Sequence, residues 1–216
     1  SQLNASITNA GLELSALNDD LANYVDQNQN LQGQVAYLNN LNTELNEQVS
    51  NLQDSVNNSI GSELVVNGTF DTDSLDWTKE GTWTISGETA NRTALSSGNE
   101  LKQTFTTANN KNWLVSFEIT SITEGGCGVR LNGSSVNSYY TKVGIYTEVF
   151  NGNGSGTDVI IQSDLSNPFA GSIDNVSVKE VSEDYASLLN ELAAAEDLLS
   201  TSEDSLQALE NQILGS

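Results

Sequence analysis

Residues 1–60, SQLNASITNAGLELSALNDDLANYVDQNQNLQGQVAYLNNLNTELNEQVSNLQDSVNNSI, carry a seven-residue repeat along their whole length and contain no basic residue. Alternating steps of four and three from Leu3 reach Ile7, Ala10, Leu14, Leu17, Leu21, Tyr24, Asn28, Leu31, Val35, Leu38, Asn42, Leu45, Val49, Leu52 and Val56, all apolar except the two asparagines. An apolar seam with a 3.5-residue period drifts around a straight helix, so it stays buried only where helices supercoil about one another. The stretch therefore predicts a coiled coil built to oligomerise. Asn28 and Asn42 fall at core positions of that oligomer. They either fix register and strand number at some cost in stability or form a ring of amides around an ion or water on the axis.

Working outward, residues 62–181 change period. In Trp113-Leu-Val-Ser-Phe-Glu-Ile119 the apolar Trp113, Val115, Phe117 and Ile119 alternate with Leu114, Ser116 and Glu118, the pattern of a half-buried strand. Similar strands are predicted at 63–66, 81–86, 100–106, 127–132, 143–150, 157–162 and 173–181, separated by Gly, Ser and Asn. Eight or so short strands in this length predict an antiparallel β-sandwich of the jelly-roll kind. The run Asn151-Gly-Asn-Gly-Ser-Gly156 is a flexible loop. A phosphate cradle there would need a following helix, and a strand follows. Residues 182–216 return to the heptad at Tyr185, Leu188, Leu192, Ala195, Leu199, Ser202, Leu206, Leu209 and Ile213. The fold class expected is thus segregated α+β: an N-terminal coiled coil over 1–61, the sandwich over 62–181 and a shorter C-terminal coil over 182–216. Outside the first seam only scattered residues such as Leu12, Val25 and Leu41 offer a second stripe, so an in-line order of coil, domain and coil is expected in place of a folded-back second helix.

Charge and composition narrow the function. The net charge is −22, and all seven cations (Lys79, Arg92, Lys102, Lys111, Arg130, Lys142, Lys179) lie inside the middle segment. Such a surface repels phosphate, which argues against nucleic acid and against anionic membranes. No apolar run approaches the length of a membrane-inserted helix. There is no histidine, the usual neutral-pH base and metal ligand, and one cysteine, Cys127, read as a small buried strand residue. Acids such as Asp71, Asp73 and Asp76 are read as turn formers and not as a glycosidase pair, and the chain is read as a non-enzyme.

Asn67-Gly-Thr-Phe70 with Asp76-Trp77, together with Gly171-Ser-Ile-Asp-Asn-Val-Ser-Val-Lys179, resemble the opening and closing strands of the galactose-binding-like jelly rolls, a group that includes many carbohydrate-binding modules and bacteriophage fibre domains. That resemblance implies a structural calcium where first and last strands meet, which maps onto Asn67, Asp71 and Asp174. Ordinary turn capping by these acids is the alternative. With a coil on either side, the chain resembles a virion fibre of a phage appendage more than a secreted accessory module.

For a ligand, Tyr139 and Tyr140 beside Asn137 combine aromatic faces with an amide, the chemistry a neutral surface glycan requires; a surface or interchain packing role, with the jelly roll as a spacer, is the alternative. Trp77, Trp83 and Trp113 are read as core. Val35, Val49 and Val56 at one core position with Leu at the other lean towards a dimer. Leu14, Leu21, Leu192, Leu199 and Leu206 at the first position, with the fibre resemblance, favour a parallel homotrimer. The function expected is a structural, oligomeric fibre protein of a phage appendage, located on the virion or outside the cell, whose partners are further copies, other fibre or virion proteins and a surface glycan. A cellular extracellular filament or adhesin subunit is the alternative.

Overall fold

The computed structural model of the chain describes residues 2–73, 75–93, 100–105, 111–131, 134–151 and 158–215. It comprises two compact units, one of residues 1–55 with 187–216 and one of residues 56–186.

The first unit is helical. α1 runs from Gln2 to Asn58 and α2 from Tyr185 to Gly215. Neither contains proline, the only one being Pro168, so nothing interrupts the backbone ladder of either helix. The expected in-line order is overturned. α2 lies against the C-terminal half of α1, and Gln48, Asn51 and Leu52 share a groove with Glu191, Ala195 and Leu198. Of the residues outside the seam, Leu12 and Val25 are exposed and Leu41 is half-buried. Burial falls on the heptad seam itself: Leu31, Val35, Leu38, Leu45 and Leu52 are half-buried and Asn42 and Val49 buried, while Leu188, Leu192, Leu199, Leu206, Leu209 and Ile213 are half-buried and Ala195 and Ser202 buried. Antiparallel heptads place alternate seam positions opposite one another, which puts Val49 in the layer of Ala195 and Asn42 in the layer of Ser202. Residues 2–30 of α1 are exposed throughout.

The second unit is a sandwich of two antiparallel sheets. Its strands are β1 (Ile60–Glu63), β2 (Thr78–Lys79), β3 (Thr84–Ile85), β4 (Ala90–Arg92), β5 (Glu100–Thr104), β6 (Asn112–Glu124), β7 (Cys127–Leu131), β8 (Gly144–Phe150), β9 (Asp158–Ser163) and β10 (Ala170–Val181). One sheet has the order β3-β4-β10-β6-β8 with β1 also on β10, and the other β2-β5-β9-β7. Ile60 pairs with Val181 and Ser182 N–H donates to Ser59 O at 3.0 Å. Chain entry and exit are therefore neighbours in the sandwich, the connectivity an α1–α2 pair requires.

Period-two alternation decides the inner faces. Trp113, Val115, Phe117 and Ile119 of β6 are buried with Ile173 and Val178 of β10, against Leu101 of β5, Val159 and Ile161 of β9, and Cys127 and Val129 of β7. Trp77 and Trp83 are in the same core with Phe70 and Phe169. Gln103, an inward amide of β5, is satisfied by two 2.7 Å bonds with the backbone of Val66, one donated and one accepted. This ties the 64–70 segment to the opposite sheet. The first strand, Ile60–Glu63, lies earlier than the 63–66 expectation, and the chain turns beyond it at Asn67 and Phe70, which adopt positive φ of 54° and 52°. β3 falls within the strand expected at 81–86, whereas the two-residue β2 and the short β4 carry too few alternations to be read from sequence. The glycine run at 152–156 lies outside the described residues.

Candidate functional site

The segment 134–140 returns along the free edge of β7. Cys127 and Tyr140 exchange backbone hydrogen bonds of 3.1 and 2.8 Å. Gly128 permits this approach, because a Cβ there would stand 2.2 Å from Ser138 O. The Tyr140 ring is directed inward, stacked on Tyr146 at a centroid distance of 3.9 Å with its edge towards the buried Phe117 at 5.9 Å. Its hydroxyl donates to Glu148 Oε1 at 3.1 Å, and Asn137 Nδ2 donates to Glu148 Oε2 at 2.8 Å. Glu148 lies between Tyr146 and Phe150 on the inner face of β8 and is 9% exposed. Asn137 and Tyr140 therefore meet, as their proximity in sequence suggested, but around a buried carboxylate whose lone pairs they satisfy. Burial first, then the Glu148 charge and its hydrogen bond, raise the Tyr140 phenol above its ordinary pKa. Sequence reasoning missed Glu148. The signal was present in Ile145-Tyr-Thr-Glu-Val-Phe150, where the acid shares the face of two aromatic residues.

Tyr139 points elsewhere. It is 38% exposed, and its phenol is raised by burial and by Asp164 while Arg130 acts in the opposite direction. Both groups are thus within electrostatic reach of the ring. Arg130 belongs to the outer face of the β2-β5-β9-β7 sheet, where Glu100 pairs with Gln162 and Lys102 with Ile160, itself paired with Arg130. Arg130 Nε donates to Gln162 Oε1 at 2.7 Å and Nη2 to Glu100 Oε1 at 2.6 Å. The guanidinium is thereby held flat across three strands. An exposed ring within electrostatic reach of the Arg130 guanidinium and the Asp164 carboxylate offers an apolar face with charged hydrogen-bonding groups in its surroundings. Arg130, Glu100 and Gln162 lie on three separate strands, and only the sheet brings them together.

At the strand junction, Gly68 and Val176 approach closely: Val176 N–H donates to Gly68 O at 2.9 Å, and a Cβ on Gly68 would be 2.0 Å from Val176 O. This brings Asp71 within electrostatic reach of Asp174, along with Glu118 and Glu88. The donor atoms serve the local turns. Asn67 Nδ2 donates to Thr72 O at 2.7 Å, Asn67 Oδ1 accepts from Thr72 N–H at 3.4 Å and Asn67 O accepts from Trp77 Nε1 at 3.0 Å. Asp71 Oδ2 accepts from Thr69 Oγ1 at 3.0 Å, and Asp174 Oδ1 from Asn175 N–H at 2.7 Å. Calcium takes six to eight oxygens. No group of three or more acidic, histidine or cysteine side chains among the described residues converges on such a centre. As arranged, Asn67, Asp71 and Asp174 brace the turns on either side of the junction. Of the two helical asparagines, Asn28 is exposed and Asn42 is buried under α2.

No family model matches the chain and no curated protein does. Among solved structures, it is similar to the enzymatically active domain of bacteriophage CBA120 tailspike protein 4, at 12% identity and a TM-score of 0.37, over 55% of this chain and 21% of that one. A CBM4 structure is matched at 14% identity and a TM-score of 0.36 over 54% of this chain and 99% of the other. The N-terminal cellulose-binding domain of Cellulomonas fimi β-1,4-glucanase C is matched at 14% identity and a TM-score of 0.37 over 56% and 99%. At these identities and scores the likeness carries neither a ligand nor a role over to this chain.

Proposed function

We propose that the chain is a structural, non-catalytic subunit of a homo-oligomeric fibre, of the kind bacteriophage appendages carry outside the cell, with α1 as its assembling element and the sandwich as a module that contacts a neutral surface glycan. The observation that supports assembly is the heptad seam of residues 3–28, which no part of the chain covers among the described residues. A homotrimer is the assembly favoured by the resemblance to fibre domains and by Leu14 and Leu21 at the first core position, with a dimer, towards which valine and asparagine at that position lean, as the alternative. Light scattering on the full chain should return the mass of three copies, and a monomer at micromolar concentration would end this reading.

The glycan contact is supported by the exposed Tyr139 ring within electrostatic reach of Arg130, which is itself bonded to Glu100 and Gln162. A pyranose would lay its apolar face on the ring and present hydroxyls to the carboxylate, guanidinium and amide. A single such site is weak, and identical copies on one coil raise avidity by about 10²–10⁴ where the target repeats at a matching spacing. The discriminating variant is Tyr139→Ala alone, because Tyr140→Ala would also remove the stack on Tyr146 and one donor to Glu148. The intact oligomer should bind neutral polysaccharides on a glycan array, and Tyr139→Ala should lose that binding at least tenfold with an unchanged melting temperature. Absence of binding by the unaltered oligomer would make the sandwich a spacer within the fibre.

A further inference from the structure

α2 ends where the exposed part of the α1 seam begins. The layer of Leu31 and Ile213 is the last in which both helices are half-buried; towards the N-terminus Leu3, Ile7, Leu14, Leu17, Leu21 and Tyr24 are 60–73% exposed. The uncovered stretch continues the covered one without a break in register, so the open face has the spacing of an interface the molecule already uses. Its occupant must supply an apolar seam of the same period and must tolerate a flank of acids, Glu13, Asp19, Asp20 and Asp26, with no cation to offer. A second copy of residues 3–28 has the period and length required.

Orientation can be decided from the layers. In an antiparallel overlap of residues 3–28, alternate seam positions face each other: Leu3 meets Asn28, Ile7 meets Tyr24 and Leu14 meets Leu17. An amide would then be buried against leucine with nothing to bond. The flanking Glu13 and Asp20 would also lie across from each other twice, a like-charge contact with no compensation. In a parallel, in-register pairing Asn28 faces Asn28 of the next chain, where each amide offers both donor and acceptor. Glu13 then lies across from Asn18, and Asp20 from Val25. The intrachain pair follows the same preference, with Asn42 and Ser202 buried in one layer.

We propose that residues 3–28 of α1 are a parallel, in-register interface with the same segment of a second copy, while α2 holds residues 31–55 within its own chain. This rests on the self-assembling fibre reading and specifies the segment and direction of its contact. The test uses the full chain with Ile7→Cys, a change at an exposed position, and Tyr24→Cys as its counterpart. Cys127 does not compete, since it is buried with its thiol pushed up to about 12. A disulfide needs Cα atoms within about 7 Å, whereas antiparallel pairing would separate the two copies of residue 7 by about 25 Å along the helix. Ile7→Cys alone should form interchain disulfides under mild oxidation, linking two of the three chains of each trimer, and Tyr24→Cys alone likewise. Cross-linking only when the two variants are mixed would overturn the parallel direction while leaving self-assembly in place. Oligomeric mass without cross-linking in any combination would move the contact away from residues 3–28. A monomeric mass would instead be failure of the assembly reading itself.

Discussion

Asp174 shows how much a single side chain at the strand junction can report. Burial raises its pKa above the ordinary aspartate value; the Asn175 N–H bond acts against this, and the facing charges of Glu118, Asp71 and Glu88 add to the rise. The folded chain therefore holds the ionised form less readily than the unfolded chain does. Above the folded pKa this penalty is fully present, it is relieved as pH falls through that value, and it is gone below the unfolded value of about 3.9, where both states are protonated. Asp174→Asn, whose amide oxygen still accepts from Asn175 N–H, should raise the melting temperature at pH 7 by about 1–2 °C and by nothing measurable near pH 3. Chelation should leave the unaltered chain where it is. If calcium raised the melting temperature of the unaltered chain and not that of Asp174→Asn, a cation site at the junction would stand after all. The junction was legible from its end motifs, since the pairing of the first and last strands follows from them, but the direction of each oxygen was not. Positive φ at Asn67 and Asn175 turns these side chains into local braces, and no spacing in the sequence encodes that. Tyr139 and Tyr140 make the same point, because adjacent residues in an extended segment face opposite ways and only the inward Glu148 decides which ring is taken.

At the scale of elements, the heptads stated that another helix covers each seam and could not state whose. The strands of the sandwich were readable wherever alternation ran for five residues or more, as in β6 and β8, while β2 and β4, of two and three residues, were lost. For the helices, the search for a second stripe assumed that the first seam was wholly reserved for other chains. α2 is about half as long as α1, so one seam serves both an intrachain and an open contact. The price is a polar layer: Asn42 Oδ1 and Ser202 Oγ are buried without a hydrogen-bond partner among the described residues. Each such atom costs about 1–3 kcal/mol, and in coiled coils a polar core residue repays this by fixing register. Asn42→Leu combined with Ser202→Ala should therefore raise the thermal midpoint of the helical circular dichroism signal by several degrees. A lower midpoint would show that the two side chains bond each other in solution and that their layer is net stabilising.

At the scale of the whole molecule, charge is distributed so that assembly and ionic strength are coupled. The net charge is −22, and no cation lies in residues 1–62 or 182–216, which hold Glu13, Asp19, Asp20, Asp26, Glu44, Glu47 and Asp54 in the first and Glu183, Asp184, Glu191, Glu196, Asp197, Glu203, Asp204 and Glu210 in the second. The described ion pairs, Lys79–Asp73, Lys111–Glu180 and Arg130–Glu100, all belong to the sandwich. Every helix brought alongside another thus adds like charge, first when α2 packs on α1 and again when copies join. These acids, apart from the half-buried Glu210, are exposed, where the Debye length sets their reach: about 30 Å at 0.01 M salt and about 8 Å at physiological strength. At low salt each acid on α1 feels those on α2 and on neighbouring copies, and at high salt it feels almost none of them. Apolar burial along the seam is strengthened, if anything, by salt. The helical signal should consequently melt several degrees higher at 0.5 M sodium chloride than at 0.01 M, and an oligomer assembled through α1 should dissociate at a higher protein concentration in the dilute buffer. The sandwich, which holds all the cations, should shift less when followed by tryptophan fluorescence from Trp77, Trp83 and Trp113. Equal shifts for the two signals would place the repulsion in the molecule as a whole and not in its helices, and a helical midpoint that fell with salt would show that repulsion between the helices does not limit their stability.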